Sequence, residues 1–193
     1  MRQKKITIVF NAPVVLGFAL ISLLVLILDN VFGGRLIGTY FCVYRSSLAD
    51  PLTYLRFFTH VLGHASYEHY INNMLLFLVV GPTLEERYGS GRMLEAILIT
   101  AFVTGLAQFI FFPGTALLGA SGVVFMMIIM SSFAGYKGGT IPITLILVFI
   151  LYIGGEVFDA IFVRDDISQF THVLGGFCGA AFGFMMTGRG RRR

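Results

Sequence analysis

The sequence predicts an all-α membrane protein, a bundle of six spanning helices with little chain outside the bilayer. Three observations carry this. Apolar residues fill 56% of the 193 positions and charged residues 12%, with a mean hydropathy of +0.84; a soluble domain carries about a quarter charged residues. Six apolar segments can be drawn, at or near the ~20 residues that a spanning helix needs. The Lys and Arg residues divide unevenly between the connections, as a fixed membrane orientation requires.

Met1-Arg2-Gln3-Lys4-Lys5 resembles the charged start of a signal peptide. The apolar stretch behind it is long and has no convincing small-residue cleavage site, so it reads as a retained first helix over about Pro13–Phe32. The second segment runs from about His69 to Leu84, the third from Met93 to Phe112 and the fourth from Leu117 to Tyr136. The fifth covers about Ile141–Phe162 and the sixth Phe170–Thr187. The second and sixth are short, which fits helices that start inside the domain beside a wet cavity.

Ten basic residues fall on one side (Arg2, Lys4, Lys5, Arg87, Arg92, Lys137, Arg189, Arg191, Arg192 and Arg193) and four on the other (Arg35, Arg45, Arg56 and Arg164). Both termini are therefore expected in the cytoplasm. The outer connections are then Gly33–Glu68, a turn at Pro113-Gly114 and the link with Arg164-Asp165-Asp166. Residues 33–68 are too long for a turn and carry the amphipathic Tyr54-Leu55-Arg56-Phe57-Phe58, which suits the membrane interface. The division is one membrane domain over 1–193, ending in a basic cytoplasmic tail at 188–193. The +4 net charge does not suggest a nucleic-acid partner, because the basic residues sit at loops and ends. Cys42 and Cys178 read as too far apart to pair.

The chemistry gathers on few residues. Gly119-Ala120-Ser121-Gly122 places a glycine-flanked serine near the start of an apolar run. The four histidines, His60, His64, His69 and His172, all fall toward the outer face, and Asn73 shares a helix face with His69 at i+4. Intramembrane polar groups are costly and face a cavity or a partner. By helical rise, Ser121 and His172 sit roughly 22 Å above the inner boundary and Asn73 roughly 20 Å. Three positions distant in sequence thus reach one level. There, Ser121 can act as nucleophile and His172 as its base. No Asp is placed to orient the ring, although Asp159, Asp165 and Asp166 lie near the outer link, so a dyad is the simpler reading. The Asn73 amide, a His69 ring N–H and the Ser121 backbone N–H are candidate oxyanion donors. Gly119 and Gly122 allow close approach of a substrate backbone. Gly175, Gly179 and Gly183 form a small-residue face that brings the last helix against a neighbour, or serves homodimerisation.

Laid out in this way, the chain resembles the rhomboid intramembrane serine proteases over about Phe57–Thr187. The matching elements are His60-xxx-His64, His69-xxx-Asn73, Glu85-Glu86-Arg87 before Gly89-Ser90-Gly91, Gly119-Ala120-Ser121-Gly122, and His172-xx-Gly175-xxx-Gly179. The resemblance implies a six-helix bundle with a water-accessible cavity open to the outer face. It implies a Ser121–His172 dyad, an oxyanion site including His69 and Asn73, and structural roles for His60 and His64. Glu86 and Arg87 would lie at the cytoplasmic end of the second helix. The implied substrates are transmembrane segments of membrane proteins, with no metal or organic cofactor. Many bacterial members carry a Tyr four residues after the serine, stacked on the histidine; this chain has Phe125. The chain reads as a minimal member without a soluble amino-terminal domain or a seventh helix, suited to a bacterial inner or plasma membrane. The fifth helix, with Gly154-Gly155, and the Asp159–Gln169 link are the implied moving parts. The alternatives are a catalytically silent rhomboid-like protein that binds membrane helices, and a metal protein using His60, His64 and His69. No His-Glu-x-x-His string supports the latter.

Overall fold

The structure is a computed structural model describing residues 11–133, 143–148, 150 and 166–189. It is mainly helical. The order is α1 (Pro13–Val31), α2 (Leu36–Tyr40), β1 (Val43–Tyr44), α3 (Pro51–Thr59), a 3-10 turn (His60–Leu62), α4 (Tyr67–Tyr88), α5 (Ser90–Phe111), β2 (Ala116–Leu117), α6 (Ser121–Ser132), α7 (Ile143–Val148) and α8 (Asp166–Arg189). Among the described residues, α1 and α5 are each long and apolar enough to cross a membrane. The fifth predicted segment is described only over Ile143–Val148 and at residue 150. Gly154-Gly155, Asp159 and Asp165 lie outside the described residues, as do the two chain ends.

Three boundaries differ from the sequence expectation. The second segment is a 22-residue helix rather than a short one. Apolarity stops at Leu84, but the helix runs on through the polar Glu85–Tyr88. Its start is fixed by Ser66, whose Oγ accepts the His69 N–H at 3.1 Å. The sixth is likewise longer, at 24 residues. By rise these helices measure roughly 33 Å and 36 Å, so neither needs the wet-cavity start invoked for short segments. The fourth segment begins its helix later, at Ser121 instead of Leu117. The residues before it are spoken for: Leu117 pairs with Val43 and Ala116 with Tyr44 in a small antiparallel ladder, and Gly119 takes φ +117°, which a helix cannot use.

The bundle is centred on α6. Val123, Val124, Met126, Met127, Ile129 and Met130 are all buried, and a helix apolar on every side belongs inside. α8 makes the most extensive contact with it, and α4 and α5 also pack there. The α8 glycines explain the closeness. A Cβ on Gly175 would stand 2.1 Å from the Gly122 carbonyl oxygen, one on Gly179 2.2 Å from the Met126 carbonyl oxygen, and one on Gly183 2.4 Å from the Phe133 ring. The small-residue face thus meets α6 backbone to backbone.

α1 leans on α4. Phe18 stacks on Phe77 at 4.7 Å. At the same end of the bundle the buried Glu85 carboxylate accepts the Val14 and Val15 N–H groups at 3.0 and 2.9 Å, and the Ser90 hydroxyl at 2.6 Å. A carboxylate at a helix N-terminus complements the exposed N–H groups and the dipole. Asn11 adds a bond to Glu86. One acidic pair therefore fixes the starts of α1 and α5 to the end of α4.

Residues 33–68 form a folded layer. The α3 face bearing Thr53, Arg56 and Phe57 is buried, while Tyr54, Leu55 and Phe58 face out. The Arg56 guanidinium donates to the Thr39 carbonyl at 2.8 Å, meets Asp50 at 3.5 Å and lies over the Tyr44 ring. This satisfies a charge that burial would otherwise penalise. Arg45 donates to the Phe109 carbonyl near the end of α5. With Thr53 and Arg56 turned inward beside Phe57 and apolar side chains turned out, α3 departs from the pattern of a water-soluble surface helix.

Candidate active site

Ser121 is the first residue of α6, preceded by Ala120, which offers no side-chain cap. The first intrahelical bond runs from the Val124 N–H to the Ala120 carbonyl at 2.9 Å. The N–H groups of Ser121, Gly122 and Val123 therefore precede the helical ladder and form a donor-rich helix start. Phe125 lies one turn on, on the same face as Ser121. The His172 ring stacks flat on Phe125, with centroids 4.3 Å apart and planes 5° apart. Three residues after His172, Gly175 presses on the Gly122 carbonyl. A Cβ on Gly122 would stand 3.5 Å from the Thr171 carbonyl oxygen and 3.3 Å from the Thr104 methyl group. The first turn of α6 is thus wedged between α5 and α8, with His172 beside the Ser121 face.

His69 closes the other side. Its Nδ1 accepts the Ala65 N–H at 3.4 Å. A backbone N–H can only donate, so the neutral ring carries its proton on Nε2. That edge faces Gly119: a Cβ there would lie 2.8 Å from both Cε1 and Nε2. Gly119 is therefore required twice, for its positive φ and for the room it leaves. Asn73 is buried one turn along α4, and its amide donates to the His69 carbonyl at 2.9 Å. A primary amide has two N–H groups, so one remains for another acceptor.

His60 and His64 are buried in the folded loop, outside the long helices. The His60 ring bridges the Arg56 carbonyl (3.1 Å) and the Thr104 hydroxyl of α5 (3.3 Å), and its own carbonyl accepts the Gly119 N–H at 2.9 Å. With both ring nitrogens so used, His60 is a strut under the serine loop and offers little to a metal. The His64 ring sits edge-on to His69 at 5.1 Å and to Tyr70 at 5.5 Å; the Tyr70 hydroxyl donates to the Ala19 carbonyl of α1 at 3.0 Å. Burial lowers the pKa of both His60 and His64 from 6.5 to about 4. Backbone carbonyls oppose this at His60, whereas the nearby His69 charge adds to it at His64. Both rings are neutral near pH 7.

The structure thus gathers Ser121, Gly119, Gly122, Phe125, His172, His69, Asn73, His60 and His64 around one helix start. Gly175, Gly179 and Gly183 set the spacing behind it. Asp166 opens α8, six residues before His172. Two contributors escaped the sequence reading. Thr104 receives the His60 ring, and Gly105 admits the loop, since a Cβ there would lie 2.9 Å from the Phe57 carbonyl oxygen. Thr100, Thr104 and Gln108 are buried polar residues at four-residue spacing on α5, a stripe that was legible and marks the face turned to the site.

A helical bundle with this serine-bearing helix start defines a class, and the chain belongs to it: residues 51–189 match the Rhomboid domain, and the chain is a member of the rhomboid family. Among its relatives are Rhomboid protease GlpG of Klebsiella pneumoniae subsp. pneumoniae, 30% identical over 189 residues covering 94% of this chain and 66% of that protein, and Rhomboid protease GlpG of Serratia proteamaculans, 27% identical over 179 residues covering 91% and 63%. Rhomboid-related protein 2 of Mus musculus is 30% identical over 158 residues, covering 71% and 52%. The chain spans about half to two thirds of the length of these relatives.

Proposed function

We propose that this chain is an intramembrane serine endopeptidase that cleaves transmembrane segments of membrane proteins. In this reading, α1, α4, α5, α6, the fifth apolar segment predicted from the sequence, and α8 form a six-helix bundle in a bacterial inner or plasma membrane. Residues 1–193 make one domain with both ends in the cytoplasm; residues 33–68 lie partly in the outer interface, and 188–193 are a basic tail. A cavity open to the outer face admits water.

His172 takes the Ser121 proton as Oγ attacks the scissile carbonyl. The oxyanion that forms is held by the Ser121 N–H, His69 Nε2–H and the second Asn73 N–H. The C–N bond then breaks, the leaving amine takes the proton from His172, and the acyl group stays on Ser121. Water, deprotonated by His172, releases it. No cofactor enters. The observation that carries this reading is the backbone contact of Gly175 with Gly122, together with the His172–Phe125 stack, which brings the ring to the serine's side of α6.

Cleavage of a reporter transmembrane substrate in proteoliposomes tests it. Wild type is expected to cut, and Ser121→Ala and His172→Ala to lose turnover by several orders of magnitude. Mutants cutting at the wild-type rate would refute the dyad. A wild type that binds substrate helices and cuts none would favour a silent relative.

A further inference from the structure

Gln169 stands one turn before His172 on α8, on the same face of the helix. Only 7% of it is exposed, and its Oε1 is buried with no hydrogen-bond partner among the described residues. Its neighbours in the chain are tied down. Phe170 packs edge-on against Phe111 and Phe112 at the end of α5, with centroids 5.9 and 5.2 Å apart. The Thr171 carbonyl oxygen stands close to Gly122 in the first turn of α6. Gln169 is thus held at the edge of the dyad, and no described residue uses its oxygen. A buried acceptor without a donor is costly, and most are paired. One left unpaired beside reacting groups points to a partner that arrives during the reaction.

We propose that Gln169 is a substrate-binding residue whose Oε1 accepts a backbone N–H of the substrate within about two residues of the scissile bond. The chemistry of the substrate selects this partner. A transmembrane helix pairs its N–H groups within itself. The stretch that enters the site must unwind for Ser121 to reach a carbonyl, and the N–H groups so released need acceptors where water is scarce. The Ser121 N–H, His69 and Asn73 are donors, suited to the oxyanion; Gln169 supplies an acceptor. Its distance from the cut follows from the helix. One turn of α8 places Gln169 about 4.5 Å outward of His172, and an extended chain covers about 3.3 Å per residue. The terminal torsion of a glutamine is broad, so the carboxamide turns to meet an arriving N–H while α8 stays in place. The proposal rests on the protease reading and extends it to the form of the substrate, an unwound backbone gripped at a fixed distance from the cut.

The test uses the full chain in proteoliposomes and synthetic transmembrane substrates. Single backbone amides, up to two residues on either side of the scissile bond, are replaced by esters, with the scissile amide itself kept. An ester retains the carbonyl and loses the N–H. In wild type, one such ester is expected to lower kcat/KM about fivefold, the worth of one neutral hydrogen bond. Gln169→Leu is expected to cut the all-amide substrate about fivefold more slowly and to show no further loss with that ester. Its melting temperature should hold or rise, because leucine removes an unpaired polar atom from a buried position, so the lost rate is not a lost fold. Wild-type kcat/KM in Gln169→Leu would overturn the proposal. So would ester losses of the same size in both enzymes, the result expected if Gln169 holds a water instead. Either result leaves the protease reading standing, whereas a wild type that cuts none of the substrates would sink that reading and this proposal with it.

Discussion

Replacing Gly175 with alanine should damage the reaction far more than the fold. The added Cβ would stand 2.1 Å from the Gly122 carbonyl oxygen, 2.8 Å from its carbonyl carbon and 3.1 Å from its Cα. All three are backbone atoms, so no side chain can turn aside. Reaching ordinary contact near 3.4 Å requires α8 and α6 to part by about 1.3 Å. Overpacking of this kind costs about 1–3 kcal/mol, which a bundle of this size can survive. His172 is carried on the same helix, one turn away, and must move with it. A displacement near 1 Å at reacting groups costs about 100-fold in rate. In proteoliposomes, Gly175→Ala is therefore expected to lower kcat by about two orders of magnitude, with a smaller change in KM and a modest drop in melting temperature. Gly91→Ala, where the added atom meets nothing within 4 Å, serves as the control and should leave kcat alone. Wild-type kcat in Gly175→Ala would refute the claim that this contact positions the dyad.

Phe125→Ala removes a ring stacked on His172 at 4.3 Å; about 0.5–1.5 kcal/mol of ring pairing is lost, and kcat should fall while Phe125→Tyr stays near wild type. Unchanged kcat in the alanine variant would show the stack to be idle. Folding refuses protons to His60 and His64, whose pKa is lowered from 6.5 to about 4. Because the unfolded chain binds those protons more tightly, this stability is full above pH 6.5 and drains away as pH falls toward 4, by up to about 3 kcal/mol per ring. Melting temperature should decline over that window, and less steeply in His64→Gln; an identical slope in the variant would contradict the assignment. Glu85→Gln leaves one carbonyl oxygen for the Val14 and Val15 N–H groups, so melting should fall by an amount worth about 1–3 kcal/mol while the folded fraction keeps its kcat. An unchanged melt would mean that the link between α1 and α4 does not depend on the carboxylate.

What could be read in the sequence follows the range of the interactions. The first and third helices were legible because apolar runs of spanning length announce themselves. Ser121 stood out only in company, because the small-residue string around it also suits helix packing but His172 and Asn73 reach the same level by helical rise, and Gly175 and Gly179 because their spacing marks one helix face. The start of α6 was misplaced because the signal lies more than seventy residues away: Val43 and Tyr44 claim Leu117 and Ala116 as strand partners, and no local pattern reports that. Arg56 was read as an outer-side charge. Its burial depends on Thr39, Tyr44 and Asp50 closing around it, which is a property of the folded loop. Helix α4 looked short because hydropathy weighs Glu85–Arg87 as an exit from the membrane, while the Glu85 side chain anchors α1 and α5 and Glu86 bonds to Asn11. The local role of His60 was half visible: its place in a loop was clear, its grip on Thr104 and Gly119 was not.

The central claim is that Ser121 is a nucleophile activated by His172. Intact-mass and peptide analysis after exposure to a fluorophosphonate tests it most directly. The account predicts one adduct, on Ser121, absent in Ser121→Ala and formed far more slowly in His172→Ala. An adduct that persists in Ser121→Ala, or labelling of Ser121 at an unchanged rate without His172, would contradict it.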